Sequence, residues 1–339
     1  MITTLSTNIV HALTLFAPRR MGKTEFLRND IMPMAENAGY RVFYFSFLDG
    51  SSGEIVEKFT QALQQFTADS LLDKSVSKAK SIKKIAIAGT SIEMNEPAKE
   101  SISTILNQLA SNEHPILLLL DEIQELVNIP SAAGVISSLR TGLDLNRTKT
   151  KTIFTGSSRN GLLSMFDDAR APFFHFSTNI DFPVLDDGFV LHLADIYTQI
   201  THDGLDVNAL ISTFDQLGRV PMHMRSLMKE VILDPNHSLS VALERIRSSI
   251  VDNQGYATTW MQLKGLDKSI IQYLAGGGIE PYSSNARQSY ANGLGIKDVS
   301  VAAVQNAIRR LTRQNHLTKN AHGDYVVSEP NFLMWAKEQ

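Results

Sequence analysis

The 339-residue chain contains no cysteine. That excludes disulfide scaffolds, thiol nucleophiles and cysteine-based zinc or iron–sulfur sites, and it fits a reducing, cytoplasmic setting. Long apolar runs are also missing. The longest clean one, Pro115 to Leu120, falls far short of the ~20 residues needed to span a bilayer. Met1 to Leu15 lacks the basic start and apolar stretch of a secretory leader. These readings predict a protein with no membrane role. Charge excess is the third absence: 32 Lys and Arg against 35 Asp and Glu leave a formal −3. No global basic field announces a nucleic-acid partner, so such a partner would be met by a local patch.

What is present is a globular composition, 43% hydrophobic and 20% charged, at a length suited to two or three cores. The first third alternates strand and helix. Ala12 to Phe16 reads as a strand, Thr24 to Asn37 as an amphipathic helix stopped by Gly39, Arg41 to Phe47 as a strand buried on both faces, and Glu54 to Phe66 as a helix. Residues 67–99 read as an insertion carrying Lys78, Lys80, Lys83 and Lys84 and a small hairpin around Gly89. Ser101 to Leu109 is again helical, Ile116 to Leu120 a strand, Val135 to Leu143 a helix and Thr152 to Thr155 a strand. Strands separated by helices imply an α/β domain, a parallel sheet with helices on both faces. Beyond residue 185 strand signals fade, and Val207 to Leu217, Met222 to Val231 and Leu239 to Val251 read as helices.

Two motifs carry chemistry. After the first strand comes Ala17-Pro18-Arg19-Arg20-Met21-Gly22-Lys23-Thr24-Glu25, the arrangement of a phosphate-binding loop opening a helix. Gly22 lets the backbone turn so that its N–H groups wrap an anion, Lys23 places a compact positive charge on the phosphates, and Thr24 offers a hydroxyl to Mg²⁺. The helix start adds its positive dipole end. The usual first glycine is Ala17, tolerable if its φ stays negative. The second motif is Ile116 to Leu120 followed by Asp121-Glu122. A carboxylate at that strand end can hold Mg²⁺ through its water shell, and Glu122 can polarise an attacking water as a general base.

A third segment, Phe154-Thr155-Gly156-Ser157-Ser158-Arg159, follows another apolar strand. Taken together, Pro-Arg-Arg-Met-Gly-Lys-Thr, Leu-Asp-Glu-Ile-Gln-Glu-Leu and Thr-Gly-Ser-Ser-Arg resemble the archaeal-type ATPases of the AAA+/STAND group of P-loop NTPases. The resemblance implies ATP with Mg²⁺ as the bound species. It puts Ser157 or Ser158 in the sensor position beside the γ-phosphate, with Arg159 and Arg170 as candidates to reach a phosphate in cis or across a subunit boundary. Gly218-Arg219-Val220-Pro221 looks like the family's second sensor, where Arg219 or a neighbour meets the nucleotide. His175 stands where many relatives carry arginine.

Near the C-terminus, Lys268 to Leu274, Ser284 to Gly293 and Ser300 to Asn315 read as three helices, and His316 to Lys319 with Tyr325 to Val327 as a two-stranded wing, a winged-helix pattern. Leu266 to Gln339 holds eight Lys or Arg against six Asp or Glu. Arg309, Arg310 and Arg313 on the third helix are candidates for DNA phosphates, or else an ordinary solvated face. The expected division is a P-loop core over 1–190, a helical lid over 191–262 and a winged-helix domain over 263–339. The expected activity is a nucleotide-dependent switch engaging a protein partner, a further copy of itself, or DNA. An ATP-modulated DNA-binding protein and a nucleotide-binding scaffold without turnover are the alternatives.

Overall fold

The structure, a computed structural model, describes residues 1–48, 53–72, 100–166, 171–234, 238–320 and 323–339. The basic run and the hairpin expected around Gly89 lie outside the described residues, as does Arg170. The chain divides into two compact units, one of Met1–Ala17 with Lys23–Phe182 and one of Pro18–Gly22 with Pro183–Gln339.

The first unit is built on a five-stranded sheet in the order β2-β3-β4-β1-β5. Its strands are β1 Ala12–Phe16, β2 Arg41–Ser46, β3 Ile116–Asp121, β4 Thr150–Gly156 and β5 Thr178–Asp181. Every pairing is parallel, as the helix-separated strands predict. Strand β3 shows why the sheet sits between two helical layers. Successive side chains leave a strand on opposite faces. Ile116, Leu118 and Leu120 accordingly join one apolar cluster with Phe43, Phe59 and Phe154. Leu117 and Leu119 join another with Leu13, Leu27 and Ile153.

Parallel strands end together. Phe16 is in register with Gly156 and Asp181, and Ser46 with Asp121. The end of β1, the Asp121-Glu122 pair and the Gly156-Ser157 turn therefore share one edge of the sheet, the edge where open α/β sheets bind ligands. After the loop the chain is helical in three pieces, Lys23–Phe26, Leu27–Ile31 and Met32–Asn37. The middle piece is a π turn, in which Met32 N–H reaches the Leu27 carbonyl. Pro33 lies at the start of the third piece. Lacking an N–H, it cannot continue the i→i−4 ladder, and the wider turn absorbs the break.

The short helix Ile2–Ser6, the helix Arg159–Phe166 and the edge strand β5 are among the elements of this unit that go beyond the sequence reading. β5 is mostly exposed, so it offers no apolar pattern to read.

The second unit is helical from Asp187–Thr201 through Val207–Gln216, Pro221–Leu233, Leu239–Gln254 and Tyr256–Gln262. Helices Gly265–Ala275, Ser284–Leu294 and Val301–Arg313 follow, then an antiparallel pair, Leu317–Lys319 with Tyr325–Val327, and a last helix Pro330–Lys337. Side-chain caps fix several starts: Asp206 accepts from Asn208 and Ala209 N–H, Ser238 from Val241, Ser283 from Ala286 and Ser300 from Ala303. Each satisfies a backbone donor that the first helical turn leaves without a partner. One apolar cluster runs from Val190 to Ala336 and includes residues on both sides of position 263. Among the described residues, no helix is long and apolar enough to cross a membrane.

Candidate functional site

The loop after β1 contains two left-handed residues, Arg20 at φ 71° and Gly22 at φ 90°, with Met21 between them outside the positive-φ region. Alternating hand along a short stretch points successive N–H groups into one concavity, the geometry of an anion nest. Glycine takes this conformation without strain, whereas arginine pays about 1 kcal/mol for it. Ala17 is absent from the positive-φ residues, so its methyl brings no backbone strain, and it is buried. Its N–H donates to the Gly156 carbonyl at 3.4 Å, tying the loop to the end of β4. Of the remaining loop residues, Met21 is buried, Pro18 half-buried and Arg19 exposed. Glu25 is exposed and accepts from Asn29 at 2.7 Å.

Lys23 is buried. Its ammonium donates to the Ala17 carbonyl at 2.8 Å and lies 3.4 Å from Glu122 Oε1. Thr24 donates its hydroxyl to Asp121 Oδ2 at 2.6 Å. The two motifs, far apart in the chain, thus meet through both of their functional pairs. Residues not singled out in the sequence also donate to the two carboxylates. Asp121 accepts from Tyr44 Oη at 3.1 Å and from the Thr155 hydroxyl. Gln124 donates to Glu122 Oε2 at 2.6 Å.

Glu122 itself is left-handed, φ 56°, as it turns the chain out of β3 into the 3₁₀ segment Ile123–Asn128. Ser157 holds it twice, through N–H at 2.8 Å and hydroxyl at 2.7 Å, both to Oε2. Ser157 is therefore placed on the glutamate. Burial opposes ionisation of Glu122. The Lys23 charge and the hydrogen bonds from Ser157 and Gln124 outweigh it, and its pKa falls below the ordinary carboxyl value. For Tyr44 burial and the Asp121 carboxylate act together and push the phenol up.

Arg159 opens the helix Arg159–Phe166; its side chain lies outside the described residues. Arg219 is left-handed, φ 52°. It is held by Asp187 and Asp215, each at 2.7 Å, and by the Leu185 carbonyl at 3.2 Å. Its guanidinium thus bridges two carboxylates. Close by in sequence, His223 is buried, and burial with the Arg20 charge pushes it down to about 4.

The three arginines of the helix Val301–Arg313 separate. Arg309 and Arg313 are exposed. Arg310 is half-buried and makes a bidentate pair with the buried Asp267, Nε to Oδ2 at 2.9 Å and Nη2 to Oδ1. Of the three candidates for DNA phosphates or a solvated face, Arg310 has its Nε and Nη2 donors tying two helices together.

Thr24 and Asp121 supply hydroxyl and carboxylate oxygens, the hard donors that suit Mg²⁺. Among the described residues no group of three or more His, Cys, Asp or Glu forms a metal cage. Two oxygen donors fit an ion that keeps water and takes other ligands from a phosphate.

Residues 3–172 match the family described as an ATPase domain predominantly from Archaea. No curated protein matches the chain. Among solved structures the chain is similar to the Walker-type ATPase paby2304 of Pyrococcus abyssi, with a TM-score of 0.66 at 16% identity over 99% of this chain and 93% of that one. It is also similar to the Aeropyrum pernix ORC2 protein. The ADP form gives a TM-score of 0.52 at 13% identity over 99% and 92% of the two chains. The ADPNP-ADP complexes give 0.51 at 14% over 99% and 90%. At these identities the likeness is one of fold.

Proposed function

The chain belongs to this family of ATPase domains, and from that premise we propose that it binds and hydrolyses Mg-ATP as a nucleotide-dependent switch. The observation that carries the reading is the 2.6 Å hydrogen bond between Thr24 and Asp121, which joins the loop that receives a phosphate to the carboxylate that completes a metal site. Held by Thr24 and Asp121, Mg²⁺ would supply positive charge against the charge that develops on the phosphate. The chain's own residues divide the remaining work. The backbone of Ala17 to Gly22 cradles the phosphates with the helix start at Lys23. Lys23 exchanges Glu122 for a phosphate oxygen. Thr24 and Asp121 hold the metal. Glu122, ionised at neutral pH and oriented by Ser157 and Gln124, accepts a proton from the attacking water. Arg159 remains the arginine proposed to meet the γ-phosphate, and Glu25 flanks the loop.

The proposed switch output is the helical region after residue 183, with residues 263–339 as a winged helix and a protein, a second copy or DNA as the engaged partner. Exposed Arg309 and Arg313 on one helix, with exposed Lys319 on the adjoining strand, favour a second reading in which nucleotide tunes duplex binding. The discriminating experiment measures ATP turnover in the wild type, Lys23→Ala and Glu122→Gln. Turnover abolished in both variants supports the enzyme. No turnover in the wild type, with nucleotide still bound, would leave a scaffold.

A further inference from the structure

We propose that Tyr44 is a positioning residue for the metal site, holding Asp121 in the orientation that faces Thr24; this rests on the Mg-ATP reading above. Strand β2 sits beside β3 with Tyr44 opposite Leu119 and Ser46 opposite Asp121. From two residues back in register, the long phenol reaches forward along the sheet and donates to Asp121 Oδ2 at 3.1 Å. The same oxygen accepts the Thr24 hydroxyl at 2.6 Å, and Oδ1 accepts Thr155. Three hydroxyls from three different segments therefore converge on one buried carboxylate.

An aspartate's terminal torsion is broad and roughly two-fold, so a carboxylate without such donors is free to rotate. Thr24 is the donor whose hydroxyl would turn to the metal, and Tyr44 on Oδ2 with Thr155 on Oδ1 then keeps a donor on each oxygen and fixes the plane of the group. The phenol is itself held. Arg28, on the π turn after the loop, lies over its ring at 5.9 Å from the centroid. Tyr44 thus stands between the helix that follows the loop and the strand that carries the acid. A phenylalanine keeps the ring and its contact with Arg28 and removes the hydroxyl, which donates to Asp121 and also meets the Ser46 side chain. Partners that orient a ligating carboxylate commonly change metal affinity by 10–100-fold when lost.

The test titrates Mg²⁺ into the full-length protein holding a fixed, sub-saturating fluorescent ATP analogue. It compares the wild type with Tyr44→Phe, with Thr155→Val and Thr155→Ser as independent probes of the same carboxylate. In EDTA, Tyr44→Phe is expected to bind the analogue as the wild type does. Its half-saturating Mg²⁺ is expected to rise about tenfold, with Thr155→Val shifting the same way and Thr155→Ser restoring the wild-type value. The spectrum of bound Mn²⁺, read by electron paramagnetic resonance, should broaden in Tyr44→Phe. An unchanged Mg²⁺ requirement in Tyr44→Phe overturns this inference and leaves the ATPase reading standing. Equal weakening with and without Mg²⁺ also overturns it, because the hydroxyl would then be structural. A wild type whose nucleotide binding ignores Mg²⁺ overturns the Mg-ATP reading itself.

Discussion

Thr24 and Asp121 are 97 positions apart and share a 2.6 Å hydrogen bond. Neither residue could find the other without the parallel sheet between them, whose register brings Asp121 and the end of β1 to one edge. Replacing Thr24 by alanine should leave the fold intact, because the hydroxyl lies at the rim of the core. It should raise the Mg²⁺ needed for tight nucleotide binding by roughly tenfold, read by calorimetry at several metal concentrations.

Lys23→Ala removes the charge proposed to meet the phosphates and leaves buried Glu122 without its ion pair. ATP turnover should fall at least ~100-fold, equivalent to about 2.7 kcal/mol. Stability should also drop, since an uncompensated buried carboxylate is costly. Steady-state kinetics and thermal unfolding on the same preparation separate the two effects.

Glu122→Gln keeps the shape of the side chain and loses the base. Turnover should decrease by about 10²–10⁴-fold with nucleotide binding retained. The lowered pKa of Glu122 sets the sign of the pH response. The carboxylate stays ionised through neutral pH, so its acid limb should appear only below the ordinary carboxyl value of about 4.3. A kcat/KM profile, which reports the free protein, losing activity near pH 6 would assign that limb to another group.

His223 gives a separate pH signature. Its folded pKa, pushed to about 4, lies below the ordinary histidine value of ~6.5. The unfolded chain therefore binds the extra proton first as pH falls. The stability from keeping His223 neutral is complete above about 6.5 and is lost towards 4, a change on the order of 3 kcal/mol. His11 and His316 are also lowered, chiefly by burial, and act in the same direction. Melting curves between pH 7.5 and 5 should fall less steeply for His223→Gln than for the wild type.

Gly156→Ala tests the packing behind the glutamate. A Cβ there would sit 2.3 Å from Gln124 Oε1 and 2.9 Å from Leu162. The crowding should cost about 1–3 kcal/mol and push Gln124 away from Glu122. Turnover should fall more than nucleotide affinity, a split visible in kcat against KM.

The motif residues were legible because each signals locally. The Gly-Lys-Thr run needs only a strand before it and a helix after it, and five leucine or isoleucine residues before Asp121 announce a buried strand. Tyr44, Thr155 and Gln124 were not legible. The roles of Tyr44 and Thr155 arise from which strands lie side by side and in what register, that of Gln124 from the left-handed turn at Glu122, and a single sequence states neither. A hydroxyl at each of two alternate positions of the apolar strand Arg41–Ser46 was the available hint. The helix Asp187–Thr201 and strand β5 were missed for a different reason. β5 is an exposed edge, and the helix mixes β-branched residues with apolar ones on more than one face. Arg310 looked like its neighbours in the sequence, and only the buried Asp267 distinguishes it.

The alternation along β3 has one more consequence. Sliding that strand by a single residue would send Leu118 and Leu120 into the cavity shaped for Leu117 and Leu119, exchanging two interiors at once. Such a slip would also carry both acids past the rim by about 3.3 Å, beyond reach of the hydroxyl and the ammonium that face them. Oily side chains on the two sides of the sheet thereby act as a ruler for the polar groups at its end.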